Sequence, residues 1–144
     1  MTPSSEEALS SASGDPGLAE FSARCNAIEE AYEFMLAYAA QGLPNDAGGG
    51  SGSQIRNFLH KCDAAFTGLA EVLTGCVRGL GVPFAPYEAF IGVVEQDVRR
   101  AQAAVQLVLA QPSISSQLVD NLNGSIHLRA VLTDLFLLDE ALKS

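Results

Sequence analysis

Apolar residues recur along this chain every three or four positions, and this repeat limits the fold more than any other feature. An α-helix brings residues at such spacing onto one face, whereas a half-buried strand needs strict alternation. No segment alternates in that way, so the sequence predicts an all-α protein. The first repeating segment has the spacing 3, 4, 3, 4, 3, 4 and consists of Leu18, Phe21, Cys25, Ile28, Tyr32, Met35 and Ala39.

Three further segments carry the same repeat. The second opens near Ser53 and ends before Pro83; its unbroken pattern of Ile55, Leu59, Cys62, Phe66, Leu69, Leu73, Cys76 and Leu80 predicts one continuous helix. The third opens at Pro86 and ends before Pro112; it carries Tyr87, Ile91, Val94, Val98, Ala101, Val105 and Val108. The fourth, which Ser113 can cap, carries Ile114, Leu118, Leu122, Ile126, Leu128, Leu132, Leu135 and Leu142.

Four helical segments of similar length with short connections favour antiparallel neighbours. We therefore expect an up-down-up-down antiparallel four-helix bundle. In the fourth segment the apolar pattern changes phase between Leu122 and Leu128, where asparagines and a glycine are poor helix formers. This helix is expected to be kinked or broken near Asn121–Gly124.

The domain organisation follows from the regions without a repeat. Residues 1–14 are rich in serine and have no periodicity, which predicts a disordered N-terminal tail. Asp15 and Pro16 are a helix-start signal. Residues 15–144 then form a single helical domain, interrupted by a flexible loop over residues 44–52 that is rich in glycine and serine.

The charge balance excludes several classes of partner. The chain has 144 residues and a formal net charge of -9, which disfavours nucleic acid and anionic membrane surfaces. It has no apolar run of 18 residues, and its first residues lack the pattern of a signal peptide. Three cysteines without a C-x-x-C pair indicate a reducing compartment. We expect a cytoplasmic protein.

Sequence motifs for catalysis are missing, and no cofactor or metal site is predicted. Neither histidine follows a glutamate at the spacing of a di-iron bundle site. Two alternatives stay open. One is an enzyme whose site is assembled at a dimer interface from residues such as Arg56, His60 and His127. The other is a bundle that binds a small apolar ligand in a cavity lined by Tyr32, Phe66, Leu122 and Ile126.

The helices carry more apolar residues than one buried face needs. Charged residues make up only 17% of the chain, and the third and fourth helices have apolar side chains on several sides. Such a surplus is typical of a second contact surface. We expect a non-catalytic protein–protein interaction module, an adaptor, regulator or assembly factor, that associates as a homodimer. The expected interaction surface contains Phe90, Val93, Leu107, Phe136 and Leu137.

Overall fold

The computed structural model of the protein describes residues 16–143, and within that range it is helical, with no strand. The predicted all-α class is confirmed. The predicted disordered tail and the capping Asp15 lie outside the described residues. The helices are α1 (Pro16–Ala40), α2 (Ser51–Phe66), α3 (Leu69–Gly79), α4 (Phe84–Leu109), α5 (Ser116–Gly124) and α6 (His127–Lys143).

The buried face of α1 follows the predicted stripe in its first half and then turns away from it. Tyr32 and Ala39 are only half-buried, and their places in the core are taken by Ala31 and Tyr38. The C-terminal half of α1 contacts the segment before α5. There the Tyr38 hydroxyl donates to the carbonyl of Ile114 at 2.6 Å. A regular heptad cannot show such a change of neighbour.

The prediction of one continuous second helix is wrong. The segment is divided into α2 and α3 at Thr67 and Gly68, although the apolar residues on both sides of the break are buried. Gly68 adopts a left-handed conformation with φ of 75°. Glycine tolerates this conformation without the steric cost of a side chain. The guanidinium of Arg24 on α1 donates to the carbonyl groups of Ala65 and Thr67 and so satisfies the end of α2.

The break predicted near Asn121–Gly124 is confirmed. Helix α5 ends at Gly124, and α6 begins at His127. The N-cap of α5 is Ser115 and not the expected Ser113, since the Ser115 hydroxyl accepts from the Leu118 amide at 3.0 Å. Between α5 and α6, Ile126 has a φ of 64° and is the one non-glycine residue with positive φ in the described range.

One apolar core joins all the helices of residues 16–143. Helix α1 packs most extensively against α2 and α5, and α4 packs most extensively against α6. The outer face of the α4–α6 pair is the side on which Phe136 and Leu137 are exposed. None of the helices in the described part of the chain is long and apolar enough to cross a membrane.

Candidate interaction surface

An apolar groove runs along the surface between the first half of α4 and the last half of α6. Its volume is about 360 Å³. Of its six lining residues only Tyr87 carries a polar side-chain atom, so the groove offers van der Waals contact and very few hydrogen bonds. The lining consists of Pro86, Tyr87, Phe90, Leu137, Leu138 and Ala141. A groove with so few hydrogen-bonding groups cannot fix the orientation of a polar substrate by hydrogen bonds.

The structure brings together two of the five residues of the expected interaction surface, Phe90 and Leu137, which both line the groove. Val93, Leu107 and Phe136 are exposed at 44%, 67% and 50% but are not among its lining residues. Leu107 follows Phe90 by 17 positions, which is about 25 Å along a helix at 1.5 Å per residue.

Four groove residues were not expected to lie on this surface. The sequence predicts Tyr87 in the buried stripe of its helix and Pro86 only at the helix start. Leu138 is buried, and Ala141 is exposed. The sequence did contain a usable signal, because Pro86 and Phe90, like Leu137 and Ala141, stand four positions apart and share a helix face.

A second concavity of about 310 Å³ lies on the outer side of α6, nearer its N-terminus. Ala130, Asp134, Leu137 and Ala141 are spaced by 4, 3 and 4 residues, so this concavity and the groove follow each other along one face of α6. The concavity is lined by Ile126, Arg129, Ala130, Thr133 and Asp134. Ile126 is 58% exposed, and Arg129 forms no ion pair with any residue of the described range.

Two carboxyl groups meet where α4 and α6 pack, Asp97 and Asp134. Burial, then a hydrogen bond with Asp97 and then the charge of Asp97, raise the pKa of Asp134 to about 7. Asp97 also accepts from Arg100 at 3.2 Å. The Oδ2 atom of Asp134 is buried and receives no donor. Two carboxyl groups hydrogen-bond to each other only when one holds a proton, so this side chain is protonated more readily than an ordinary aspartate.

A polar junction at the other end of the molecule has a structural role. Arg56 on α2 pairs with Asp46 at 2.7 Å and donates to the carbonyl groups of Leu109 and Gln111 beyond the end of α4. Asp46 in turn accepts from the amide of Ile114, and this hydrogen bond is the main cause that lowers the pKa of Asp46. The junction ties the loop before α2 to the connection that follows α4.

The residues of the two alternative functions are not brought into one site. Arg56 is engaged in the junction, whereas His60 is exposed on α2 and His127 is half-buried at the start of α6. Of the residues expected to line a ligand cavity, Phe66 is buried at the end of α2, and Ile126 is exposed on the outer side of α6.

The cysteines are buried and form no disulfide bond. Burial, together with the charge of Asp63, raises the pKa of the Cys62 thiol to about 12, so it stays protonated and unreactive at neutral pH. In residues 16–143, no three histidine, cysteine, aspartate or glutamate side chains are grouped so that they could hold a metal ion.

No protein-family model matches the chain, and no curated protein or solved structure is similar enough to count as a match.

Proposed function

We propose that the protein is a non-catalytic interaction module that associates with a second copy of itself through the outer face of α4 and α6. The observation that carries this proposal is the apolar groove, in which Phe90 and Leu137 converge from two helices. Half-exposed leucine and phenylalanine side chains gain about 25 cal/mol for each Å² of apolar surface that a partner covers.

Charge supports a second copy as the partner. The chain carries a formal net charge of -9, so most of its surface repels an identical molecule. The outer face of α4 and α6 carries arginines beside its acidic residues. Arg100 pairs with Asp97 on α4, and Arg129 and Asp134 line the same concavity on α6, where Glu140 is also exposed. The arginines lower the repulsion between two copies that meet at this face.

The size of this face is that of a transient contact. Helix α6 has 17 residues, so a face about 25 Å long and two helices of about 10 Å wide covers roughly 500 Å² in each copy. Specific complexes bury about 800 Å² in each partner, and smaller contacts are typically transient. We therefore expect a reversible dimer with a dissociation constant on the order of micromolar.

We also propose the four-helix bundle topology and the cytoplasmic location that the sequence predicts. Helices α2 and α3 together form one arm of an up-down-up-down four-helix bundle, and α5 and α6 together form another. The packing of α1 on α2 and of α4 on α6 supports this arrangement. Three buried cysteines without a disulfide support a reducing compartment such as the cytoplasm. In that setting the module acts as an adaptor, regulator or assembly factor.

Sedimentation equilibrium of the full chain tests the proposal. We expect a monomer–dimer equilibrium, and Leu137→Gln should weaken it at least tenfold while the circular dichroism spectrum and melting temperature stay close to those of the unmodified protein. Leu36→Gln is the matched control, because Leu36 is 47% exposed on α1 and lies outside the groove. A monomer at all concentrations up to the solubility limit, or an equal effect of both variants, would overturn the proposal.

A further inference from the structure

Buried polar atoms without a hydrogen-bond partner are concentrated towards the C-terminal end of the chain. In residues 16–143 three buried side-chain atoms accept no hydrogen bond from a protein N–H or O–H group: Oδ1 of Asn123, Oδ2 of Asp134 and Oδ1 of Asp139. All three belong to the last turn of α5 or to α6. Such an atom has lost its hydrogen bond to water, and it regains that bond when its helix leaves the core.

The side chains that carry these atoms are only partly satisfied. Asn123 donates to the carbonyl of Met35 at 3.3 Å, but its own carbonyl oxygen accepts nothing. Asp139 pairs through one oxygen with Lys143 at 3.0 Å, and its other oxygen is buried alone. By contrast, both carboxylate oxygens in the junction around Arg56 accept hydrogen bonds. The polar groups that dock α6 are therefore less well satisfied than those of that junction.

Helix α6 is held mainly by one neighbour. It packs most extensively against α4 and much less against α1 and α5. Its connection to α5 passes through Ile126, which is 58% exposed and has a φ of 64°. A β-branched residue is unfavourable in this left-handed conformation. A rotation of the backbone at Ile126 moves α6 away from α4 and relieves this strain.

Apolar burial opposes the release of α6. Five aliphatic side chains of the helix are buried, namely Leu128, Val131, Leu132, Leu135 and Leu138. Covering them keeps α6 docked in most molecules, so a released form is a minor state.

We propose that α6 is the first helix to leave the folded chain: residues 127–143 detach from α4 as one unit about Ile126, the other helices remain folded, and the charge of the Asp97–Asp134 pair sets how often this happens. Proteins commonly open in such cooperative units before they unfold as a whole. Release removes the wall of the groove that Leu137 and Leu138 form. A partner that contacts both walls therefore keeps α6 docked. Release occurs in a single copy and does not depend on self-association.

A proton on the acidic pair favours the docked form. Asp97 of α4 is the charged group that raises the pKa of Asp134, and no charge on α1 or α5 contributes. Arg100 pairs with Asp97 at 3.2 Å, and Arg129 of α6 lines the concavity beside Asp134. In the released helix water surrounds Asp134, and its pKa returns towards the ordinary value. The docked form thus holds a proton that the released form gives up, so release becomes more frequent between pH 4.5 and pH 8.

Hydrogen exchange of the full chain, measured by mass spectrometry at pH 4.5 and pH 8 and corrected for the intrinsic rates, tests the release. The protein is kept dilute enough to be monomeric. We expect residues 131–139 to be less protected than the buried parts of α1 and α2 at pH 8. Their opening should increase roughly fivefold to thirtyfold from pH 4.5 to pH 8. Equal protection of α6 and α1 at pH 8, or an increase by the same factor in all helices, would overturn the proposal.

Two variants examine the pair and the pivot separately. Asp134→Asn should remove most of the pH dependence of exchange in α6, whereas Asp120→Asn, at an exposed position on α5, should keep it. Ile126→Asn places a residue that tolerates positive φ at the pivot, so the protection of α6 should rise about threefold to tenfold while that of α1 stays the same. An unchanged pH dependence in Asp134→Asn, or unchanged protection in Ile126→Asn, would contradict the mechanism of release.

Discussion

Replacing Asp134 by asparagine is expected to stabilise the folded chain at pH 8 and to change its stability much less at pH 4.5. The reason is the environment of the Asp134 carboxyl group, which is partly buried beside Asp97. Asparagine has nearly the same shape, carries no charge, and can donate its amide hydrogen to the carboxylate of Asp97. The substitution therefore removes the cost of the negative charge while it keeps the packing between α4 and α6.

The raised pKa of Asp134 determines the direction of the change in stability and the pH range in which it occurs. The pKa of Asp134 rises from 3.8 to about 7 on folding. Below pH 3.8 the folded and unfolded chains both hold the proton, and this group does not affect stability. As the pH rises towards 7 the unfolded chain loses the proton and the folded chain keeps it, so the free energy of unfolding falls. Above pH 7 the loss is complete and constant.

The gain in the free energy of unfolding from Asp134→Asn has an upper limit, which solvent screening reduces. Each pKa unit corresponds to 1.36 kcal/mol, so a rise of roughly three units sets an upper limit of about 4 kcal/mol. Solvent reaches this part of the α4–α6 contact and screens the charges, which reduces the effect. We expect Asp134→Asn to raise the free energy of unfolding by about 1 to 2 kcal/mol at pH 8.

Urea unfolding followed by circular dichroism at pH 4.5 and pH 8 measures the effect, at protein concentrations low enough to keep the chain monomeric. Asp120→Asn is the matched control, because Asp120 is exposed on α5 and should give no difference between the two pH values. The reasoning is refuted if Asp134→Asn gives no gain at pH 8, or if the gain is equally large at both pH values.

Three further predictions concern the backbone, the polar junction and the thiols. Gly68→Ala should lower the free energy of unfolding by about 1 kcal/mol because Gly68 has positive φ, whereas Gly92→Ala on the exposed side of α4 should raise it by up to about 1 kcal/mol; urea titration compares the two. Arg56→Met should cost about 2 to 3 kcal/mol, since it leaves the Asp46 carboxylate without its ion pair, and the melting temperature reports the loss. Cys62 should not react with a thiol reagent at pH 8 until the chain unfolds, as mass spectrometry of the modified protein can show; rapid labelling of native Cys62 would contradict its burial.

Local rules predicted the break before α6 but not the break after α2. Asn121, Asn123 and Gly124 are poor helix formers, and the apolar stripe changes phase beside them, so two independent signals indicated an interruption. At Gly68 the apolar stripe continues through the break, and one glycine within a long helical pattern is common enough to be tolerated. The end of α2 is supported by Arg24, which is 41 residues away from Ala65 in the chain.

The candidate surface was only partly predictable, because it also depends on contacts between residues far apart in the chain. The excess of apolar residues in the last two predicted helices suggested a second contact surface with Phe90 and Leu137, and both of these residues line the groove. Whether such residues share a groove depends on how α4 and α6 pack, and that packing places Leu107 and Phe136 outside it. The meeting of Asp97 with Asp134 depends on the same contact.

The helical period of the apolar residues was enough to predict the all-α class and most of the buried positions, because side chains three or four positions apart lie on one face of a helix and are removed from water together. The packing of the helices against one another sets where the second helical segment ends, how the buried face of α1 turns towards Tyr38, and which side chains form the groove and the acidic pair. These features depend on contacts between residues far apart in the chain, and a local pattern contains no information about such contacts.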